Sequence, residues 1–208
     1  MNILVTGGEG FIGKKLVNKL TKEGHKVTSL DLKSTADIVA DLSDENFDFN
    51  CISNIDYIFH LAAQPGGYFS LNNPYVDGKW NCLGTINVIK LAQKLKVKKL
   101  IYTSSMAIYG NQKLSSENLL GKNQPKAISF YGVSKFTGEL YTKLIYEHSG
   151  IPYTIFRLFA TYGSGQDLEN EHQGILSIYL NQALNDKKSA TIKITGNKNR
   201  VRELVHVD

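Results

Sequence analysis

The sequence predicts an α/β fold, a doubly wound parallel sheet with helices on its faces. Apolar runs of strand length alternate along the chain with segments whose apolar residues recur at helical spacing. Most of these runs are continuous, as expected for strands that are buried on both faces. The chain has 208 residues and contains no internal repeat. One sheet of this kind therefore accounts for most of its length.

Six segments are predicted to form the strands of the sheet. They cover residues 2–6, 26–30, 37–42, 56–60, 99–103 and 152–159. The helices between them cover residues 11–23, 74–95 and 129–148. Gly24 and Gly150 follow two of these helices, where glycine commonly ends a helix. The remaining expectations are a loop over 111–128, a helix over 174–184, and short strands over 190–195 and 203–207.

A glycine-rich turn joins the first predicted strand to the first predicted helix. Gly7, Gly10 and Gly13 have the spacing of a dinucleotide-binding turn, and Gly8-x-Gly10-x-x-Gly13 fits the same pattern. Glycines let the backbone approach a pyrophosphate, whose charge is stabilised by the start of the helix. The strand, turn and helix together predict a dinucleotide site; the alternative is a glycine turn without a ligand.

Acidic residues end the next two predicted strands. Asp31 lies about twenty residues after the glycines, where a carboxylate hydrogen-bonds the adenosine ribose hydroxyls and repels a 2′-phosphate. This position favours NAD over NADP, although Lys33 nearby points the other way. Asp41 either contacts the adenine edge or caps the segment that follows it.

Tyr131 and Lys135 are four residues apart, so they lie on one face of a predicted helix. An ammonium group beside a phenol favours the ionised phenol, which can take a proton from an alcohol. The alternative is a solvated amphipathic turn. Ser104 and Ser105 follow the fifth strand, where a serine can hydrogen-bond a reacting oxygen or cap a turn. His60 ends an apolar run and is expected to be a hydrogen-bonded structural residue.

Composition excludes several other classes of function. The net charge is +5, but the lysines are spread along the chain, so no nucleic-acid partner is predicted. Cys51 and Cys82 lack the spacing of a metal site, and no metal is predicted. No apolar run reaches membrane-spanning length, and the first residues are too short a run for a signal peptide. We therefore expect no membrane partner and a reduced, cytoplasmic location.

In this order, the motifs resemble those of the NAD-dependent epimerase/dehydratase family, the extended branch of the short-chain dehydrogenases/reductases. The resemblance implies a Rossmann fold, a tightly held NAD and a nucleotide-sugar substrate. The motifs that carry it are residues 6–13, Asp31, residues 60–64, Gly84-Thr85, Ser104-Ser105, residues 108–110, 131–135, 157–159, Tyr162-Gly163, and residues 201–203 and 206–208.

The resemblance also implies two domains. Residues 1–160 would form the NAD-binding domain, and residues 161–208 only the start of a smaller substrate-binding lobe. Relatives continue for roughly another hundred residues, so the chain is expected to be truncated at its C-terminus, and the resemblance leaves open whether this fragment is active. A homodimer is also implied, with a four-helix contact that uses the helices of Trp80 and Tyr131.

Roles follow from the same resemblance. Tyr131 is the base, Lys135 holds the nicotinamide ribose and tunes Tyr131, and Ser105 binds the sugar oxygen. The implied cofactor contacts are Gly7, Gly10, Phe11, Ile12, Gly13, Asp31, Asp41, Leu42, Leu61, Ala62, Ala63, Asn81, Tyr131, Lys135 and Phe159. The implied substrate contacts are Gln64, Ser105, Tyr131 and Arg202, whose guanidinium group suits a phosphate.

The residues after Ser105 indicate the type of reaction. Family dehydratases carry an Asp-Glu pair there, whereas this chain has Met106 and Ala107, which cannot move protons. With elimination excluded, the simplest reaction still available is oxidation and re-reduction at one sugar carbon, which is the chemistry of a 4-epimerase. Ala160 departs from the usual asparagine and Glu203 from the usual aspartate. The alternatives are a dehydrogenase or reductase of the same family and a non-catalytic NAD-binding module.

Overall fold

The computed structural model describes residues 1–112, 124–170, 174–185, 192–194 and 203–208. The chain forms two compact units, Met1–Arg157 and Leu158–Asp208. The boundary falls three residues before the predicted one, and the assignment of the units to cofactor and substrate binding stays a prediction.

The first unit is built on a six-stranded sheet. Its strands are β1 (Asn2–Thr6), β2 (Lys26–Asp31), β3 (Ile38–Val39), β4 (Tyr57–His60), β5 (Lys99–Ser105) and β6 (Tyr153–Leu158). Their order is β3-β2-β1-β4-β5-β6, and β1 pairs in parallel with both β2 and β4. This is the strand order of the Rossmann fold, with its crevice where the order reverses between β1 and β4. The predicted fold class is confirmed.

Helices cover the sheet. They are α1 (Phe11–Lys22), α2 (Gly67–Asn72), α3 (Pro74–Gly78), α4 (Gly84–Leu95) and α5 (Phe130–Ser149). The core lies between strands and helices, where residues of β1, β4 and β5 pack with α4; among them are Leu4, Ile58, Leu100, Val88 and Leu91, each at most 1% exposed. Burial of these aliphatic side chains drives the helices onto the sheet.

Two elements of the first unit differ from prediction. The predicted helix over 74–95 is interrupted by a π-helical turn, Lys79–Leu83, between α3 and α4. Its Asn81 side chain bonds to the backbone of Gln64 on another segment, a contact that sequence periodicity does not report. The predicted strand over 37–42 is reduced to β3, because Asp41 turns the chain by accepting the Ser43 backbone N–H.

The second unit contains β7 (Ala160–Tyr162), α6 (Ile175–Asn185) and β8 (Leu204–His206). β7 and β8 pair in parallel, with Ala160 opposite Leu204. The predicted helix and last strand are present, and β7 was not predicted. In the predicted strand over 190–195, residues 192–194 have no regular structure and the others lie outside the described residues, as does most of the loop over 111–128.

Candidate active site

The glycine-rich turn between β1 and α1 is closely packed. Gly7 has a φ of +70°, and a Cβ there would lie 2.6 Å from the backbone nitrogen of Ala62. A Cβ on Gly13 would lie 2.0 Å from the carbonyl oxygen of Gly7. A side chain at Gly7 would push the turn away from the segment after β4, and one at Gly13 would push α1 away from the turn. The first and last glycines of the motif are therefore required by packing.

The start of α1 leaves backbone donors available. Gly10 precedes the helix without a side-chain cap, and its first turn, which includes Phe11 and Ile12, carries no acidic residue. Uncapped N–H groups and the helix dipole together bind anions. The turn therefore fits a dinucleotide pyrophosphate, as the motif predicted.

Asp31 ends β2 beside this turn. Its carboxylate accepts the backbone N–H of Glu9 at 3.0 Å and that of Lys33 at 3.2 Å. The Lys33 ammonium donates to the Glu9 carbonyl at 3.0 Å. Lys33 is thus bonded to the glycine turn, so the residue that argued for NADP has a structural partner. The carboxylate stands at the end of β2, where the pattern placed it.

Asp41 and Leu42 follow β3 and have local partners. Asp41 accepts both the backbone N–H and the hydroxyl of Ser43, so it caps a turn, and it lies 3.8 Å from the Lys79 ammonium. The Leu42 side chain belongs to the core, and its carbonyl accepts from Asn87 at 2.8 Å. Of the two roles for Asp41, the cap is observed, and the cofactor contacts of both residues stay predictions.

The segment after β4 faces the glycine turn. Leu61 and Ala62 approach Gly7 through their backbones, and Ala63 and Gln64 follow. Gln64 is 3% exposed; its backbone N–H donates to the Asn81 side chain at 2.7 Å. Its side-chain oxygen, Oε1, is buried without a hydrogen-bond partner among the described residues. The predicted cofactor contacts of this segment are thus gathered at one edge of the sheet.

The candidate catalytic residues meet at the ends of β5 and α5. Ser105 is the last residue of β5, and Tyr131 lies in the first turn of α5. The Tyr131 phenol lies near enough to Ser105 for the serine side chain to lower the pKa of the phenol. Ser129 caps α5 by accepting the Gly132 N–H at 3.1 Å, which fixes the turn that carries Tyr131. Serine and tyrosine are therefore neighbours in the fold, and their catalytic roles stay predictions.

Lys135 lies one turn further along α5 and is 3% exposed. Burial lowers the pKa of its ammonium to about 8, while the carboxylates of Asp77 and Glu139 act in the opposite direction. The ammonium nitrogen lies 4.8 Å from the ring centre of Tyr102, a cation–π contact. Lys135 is therefore still largely cationic at neutral pH.

The pKa of Tyr131 does not follow the sequence prediction. Burial raises it above its ordinary value, the Ser105 hydrogen bond lowers it, and the Asp77 carboxylate raises it. The prediction that the neighbouring lysine holds this pKa low is wrong for the chain alone. The physical reason is that desolvation of the phenolate outweighs the stabilising contacts.

His60 is structural, as predicted. Its ring nitrogens contact the hydroxyl of Thr6 at 2.7 Å and that of Thr85 at 3.1 Å. Burial lowers its pKa to about 3, so the ring is neutral. It ties β1 and β4 to α4 beneath the crevice.

Asp77 is a site residue that sequence analysis missed. It is 1% exposed, and its carboxylate accepts the Asn81 amide at 3.0 Å. The same amide donates to the Ser134 hydroxyl at 3.0 Å. The only signal in the sequence is the spacing of Asp77 and Asn81, four residues apart on one helical face. This network joins the π-helical turn to α5 beside Lys135.

Two predicted residues fall outside the site described here. Phe159 belongs to the second unit, and Arg202 lies outside the described residues. Met106 and Ala107 begin a short 3₁₀ turn, Met106–Tyr109, directly after Ser105. In the part of the chain that the structure describes, no group of His, Cys, Asp or Glu side chains is arranged to hold a metal. No described helix combines the length and apolarity needed to span a membrane.

The fold and the site define a Rossmann-type dinucleotide-binding protein with a serine, tyrosine and lysine at its crevice. The sequence profile of the NAD dependent epimerase/dehydratase family matches residues 3–208. The chain belongs to this family, and NAD, the predicted cofactor, is the cofactor of the family.

Similar proteins agree with this assignment. A relative from Methanocaldococcus jannaschii is 35% identical over 99% of this chain and 69% of its own length. A UDP-glucose 4-epimerase from Mycolicibacterium smegmatis is 30% identical over 100% of this chain and 70% of its own. The curated relatives are matched over between 48% and 70% of their length.

Solved structures resemble the whole chain. A UDP-glucose 4-epimerase from Thermotoga maritima, crystallised with UDP-glucose, has a TM-score of 0.88 and 33% identity, covering 100% of this chain and 70% of that one. A UDP-glucose 4-epimerase from Thermus thermophilus, in complex with NAD, has a TM-score of 0.83 and 28% identity, covering 100% and 71%.

Proposed function

We propose that this chain is the cofactor-binding and catalytic part of an NAD-dependent nucleotide-sugar 4-epimerase. The observation that carries the proposal is the turn after Ser105, which holds Met106 and Ala107 beside a serine, tyrosine and lysine site. Neither side chain transfers a proton, so elimination of water from the sugar lacks an acid and a base at these positions. Oxidation and re-reduction at one carbon needs only the tyrosine and the cofactor.

The residues of the glycine turn fit the cofactor, because side chains at Gly7 and Gly13 would close the turn. Gly7, Gly10 and Gly13 would hold the pyrophosphate, Asp31 the adenosine ribose, and Lys135 the nicotinamide ribose. NAD held by these residues would supply the hydride acceptor and donor for the sugar carbon.

Tyr131 performs the proton transfer. Its phenolate would take the proton of the sugar hydroxyl as that carbon is oxidised to a ketone, and would return the proton when the ketone is reduced. Ser105 is placed to hydrogen-bond the same oxygen. Burial raises the pKa of Tyr131, so the loaded site has to favour the phenolate; the Ser105 hydrogen bond already acts in this direction.

The substrate we propose is a UDP-hexose. The support is that the similar Thermotoga maritima structure was solved with UDP-glucose. Gln64 and Arg202 are the proposed substrate contacts; Gln64 supports this role with a buried side-chain oxygen that has no described partner. We also propose a homodimer, which is supported by the exposed apolar side chains of Val133, Leu140 and Leu144 on α5, and a cytoplasmic location.

Mass spectrometry and an epimerisation assay test the function. Denaturation of the purified chain should release NAD, and the chain should interconvert UDP-glucose and UDP-galactose. Tyr131→Phe should reduce turnover by about 10²–10⁴-fold, the usual contribution of an acid–base group, with NAD still bound. Tyr146→Phe, an exposed tyrosine on the same helix, is the matched control and should retain full turnover.

Three results would count against the proposal. Turnover that survives Tyr131→Phe would remove the tyrosine from the chemistry. Bound NAD without epimerisation of any UDP-, dTDP- or GDP-hexose would favour a non-catalytic module. A cofactor that exchanges freely and leaves as its reduced form would instead favour a dehydrogenase.

A further inference from the structure

Asp77 is a buried carboxylate that the proposed reaction does not use. It lies on α3 and is 1% exposed. One of its oxygens, Oδ1, accepts the Asn81 amide at 3.0 Å, and the other, Oδ2, has no hydrogen-bond partner among the described residues. A half-satisfied buried carboxylate is costly unless a positive charge compensates it.

The ammonium of Lys135, which is 3% exposed, is the positive charge that acts on Asp77. Burial raises the pKa of Asp77, and the Ser134 side chain and then the Lys135 charge lower it, whereas burial lowers the pKa of Lys135 and Asp77 raises it. Asn81 connects the two sides, because its amide donates to both Asp77 and the Ser134 hydroxyl. Ser134 directly precedes Lys135 on α5.

The other buried carboxylate near Lys135 has its own partner. Glu139 is fully buried, and its oxygens accept two hydrogen bonds from Arg157, at 2.9 and 2.8 Å. A bidentate guanidinium pair neutralises this charge locally. Of the described carboxylates that act on Lys135, Asp77 is thus the one without an arginine partner.

The other titratable groups around Asp77 and Lys135 do not supply the negative charge that Asp77 supplies. Burial makes His60 neutral and raises the pKa of both the Cys82 thiol and the Tyr102 phenol, so these groups carry no charge near neutral pH. Burial likewise raises the pKa of Tyr131. The groups that face Lys135 or Asp77 are His60 of β4, Cys82 of the π-helical turn, Tyr102 of β5, and Tyr131 and Glu139 of α5.

We propose that Asp77 is a positioning residue of the active site, whose carboxylate keeps the buried Lys135 side chain in its ammonium form and aligns Asn81 with Ser134. The π-helical turn makes this arrangement, since it carries Asn81 between α3 and α5. The proposal deepens the proposed function and rests on it, because an ammonium donates hydrogen bonds to a ribose hydroxyl and a neutral amine donates fewer.

NMR titration of the full chain, labelled with ¹³C at lysine Cε, tests the proposal without an activity assay. Lys135→Met identifies the Lys135 resonance. In Asp77→Asn, the side-chain oxygen still accepts from Asn81, but the negative charge is gone. We expect the pKa of Lys135 to fall by about one unit, the size of shift that a nearby opposite charge produces. Asp77→Glu should restore the original titration.

The control is Asp56→Asn. Asp56 is a surface carboxylate that pairs with the Lys98 ammonium at 2.9 Å. Because its hydrogen bond and charge raise the pKa of Lys98, this variant should shift the titration of Lys98 and leave that of Lys135 unchanged.

An unchanged Lys135 titration in folded Asp77→Asn overturns the proposal, since it means that Asp77 is neutral or too remote. If this variant does not fold, the chemical shift of Asp77 Cγ in the original chain shows whether this carboxyl group is ionised. An ionised carboxylate at pH 7 supports the proposal, and a protonated one overturns it. Because neither readout uses turnover, an inactive chain with a shifted Lys135 titration contradicts only the proposed epimerase function.

Discussion

His60 gives a direct test of burial at the scale of a single residue. Its pKa is lowered by burial from 6.5 to about 3, so the folded chain resists protonation of a ring that the unfolded chain accepts below pH 6.5. The neutral, buried ring makes its full contribution to the free energy of unfolding above pH 6.5. This contribution is lost as the pH falls from 6.5 towards 3. The linkage corresponds to a loss of at most about 5 kcal/mol of unfolding free energy.

His60→Asn should therefore be less stable than the original chain at pH 8, because contacts to Thr6 and Thr85 are lost. It should also lose less stability between pH 6.5 and 4.5. Urea unfolding across this range measures both effects. His148→Asn, an exposed histidine on α5, should keep the original pH dependence. A drop in His60→Asn as steep as in the original chain would mean that the ring already binds a proton when folded.

At the scale of an element, two helical glycines allow the steric effect of an added Cβ to be distinguished from the helix propensity of alanine. A Cβ at Gly13 of α1 would lie 2.0 Å from a carbonyl oxygen, whereas one at Gly78 of α3 meets nothing within 4 Å. Gly13→Ala should destabilise the chain by about 3 kcal/mol or more through overpacking and release NAD. Gly78→Ala should stabilise it by up to about 1 kcal/mol, the helix preference of alanine.

Denaturant unfolding and the NAD content after dialysis measure the two variants. Equal stability of Gly13→Ala and the original chain would mean that the glycine turn moves freely, and the argued fit to a pyrophosphate would then fail. Retention of NAD by a destabilised Gly13→Ala would separate folding from binding at this turn.

The elements also show what sequence could and could not predict. Strand and helix positions follow from local patterns of apolar residues, so the doubly wound parallel sheet was predictable from them, whereas the roles of Ser105 and Tyr131 came from the resemblance to the family. The π-helical turn and the role of Asp77 depend on contacts between α3 and α5, which no local pattern reports. The pKa of Tyr131 was mispredicted because spacing reveals a neighbouring charge but not the depth of burial.

At the scale of the whole molecule, the surface of α5 bears on the proposed homodimer. Val133, Leu140 and Leu144 are 53%, 44% and 44% exposed and recur at helical spacing. On the neighbouring π-helical turn, Leu83 is 38% exposed. An apolar stripe of this kind on a charged protein marks an association surface more often than a solvated face. A second copy, pairing α5 with α5, would bury it.

Leu140→Glu would place a charge on each copy at the centre of this stripe, and like charges across a two-fold contact repel. We expect the variant to sediment as a monomer at micromolar concentration, where the original chain sediments as a dimer, with its folded content unchanged. Leu184→Glu is the control, since Leu184 is 56% exposed on α6 of the second unit and should leave the dimer intact. A dimer that survives Leu140→Glu would show that the two copies meet through a surface other than this stripe of α5. An original chain that is monomeric at high concentration would show that no second copy covers α5.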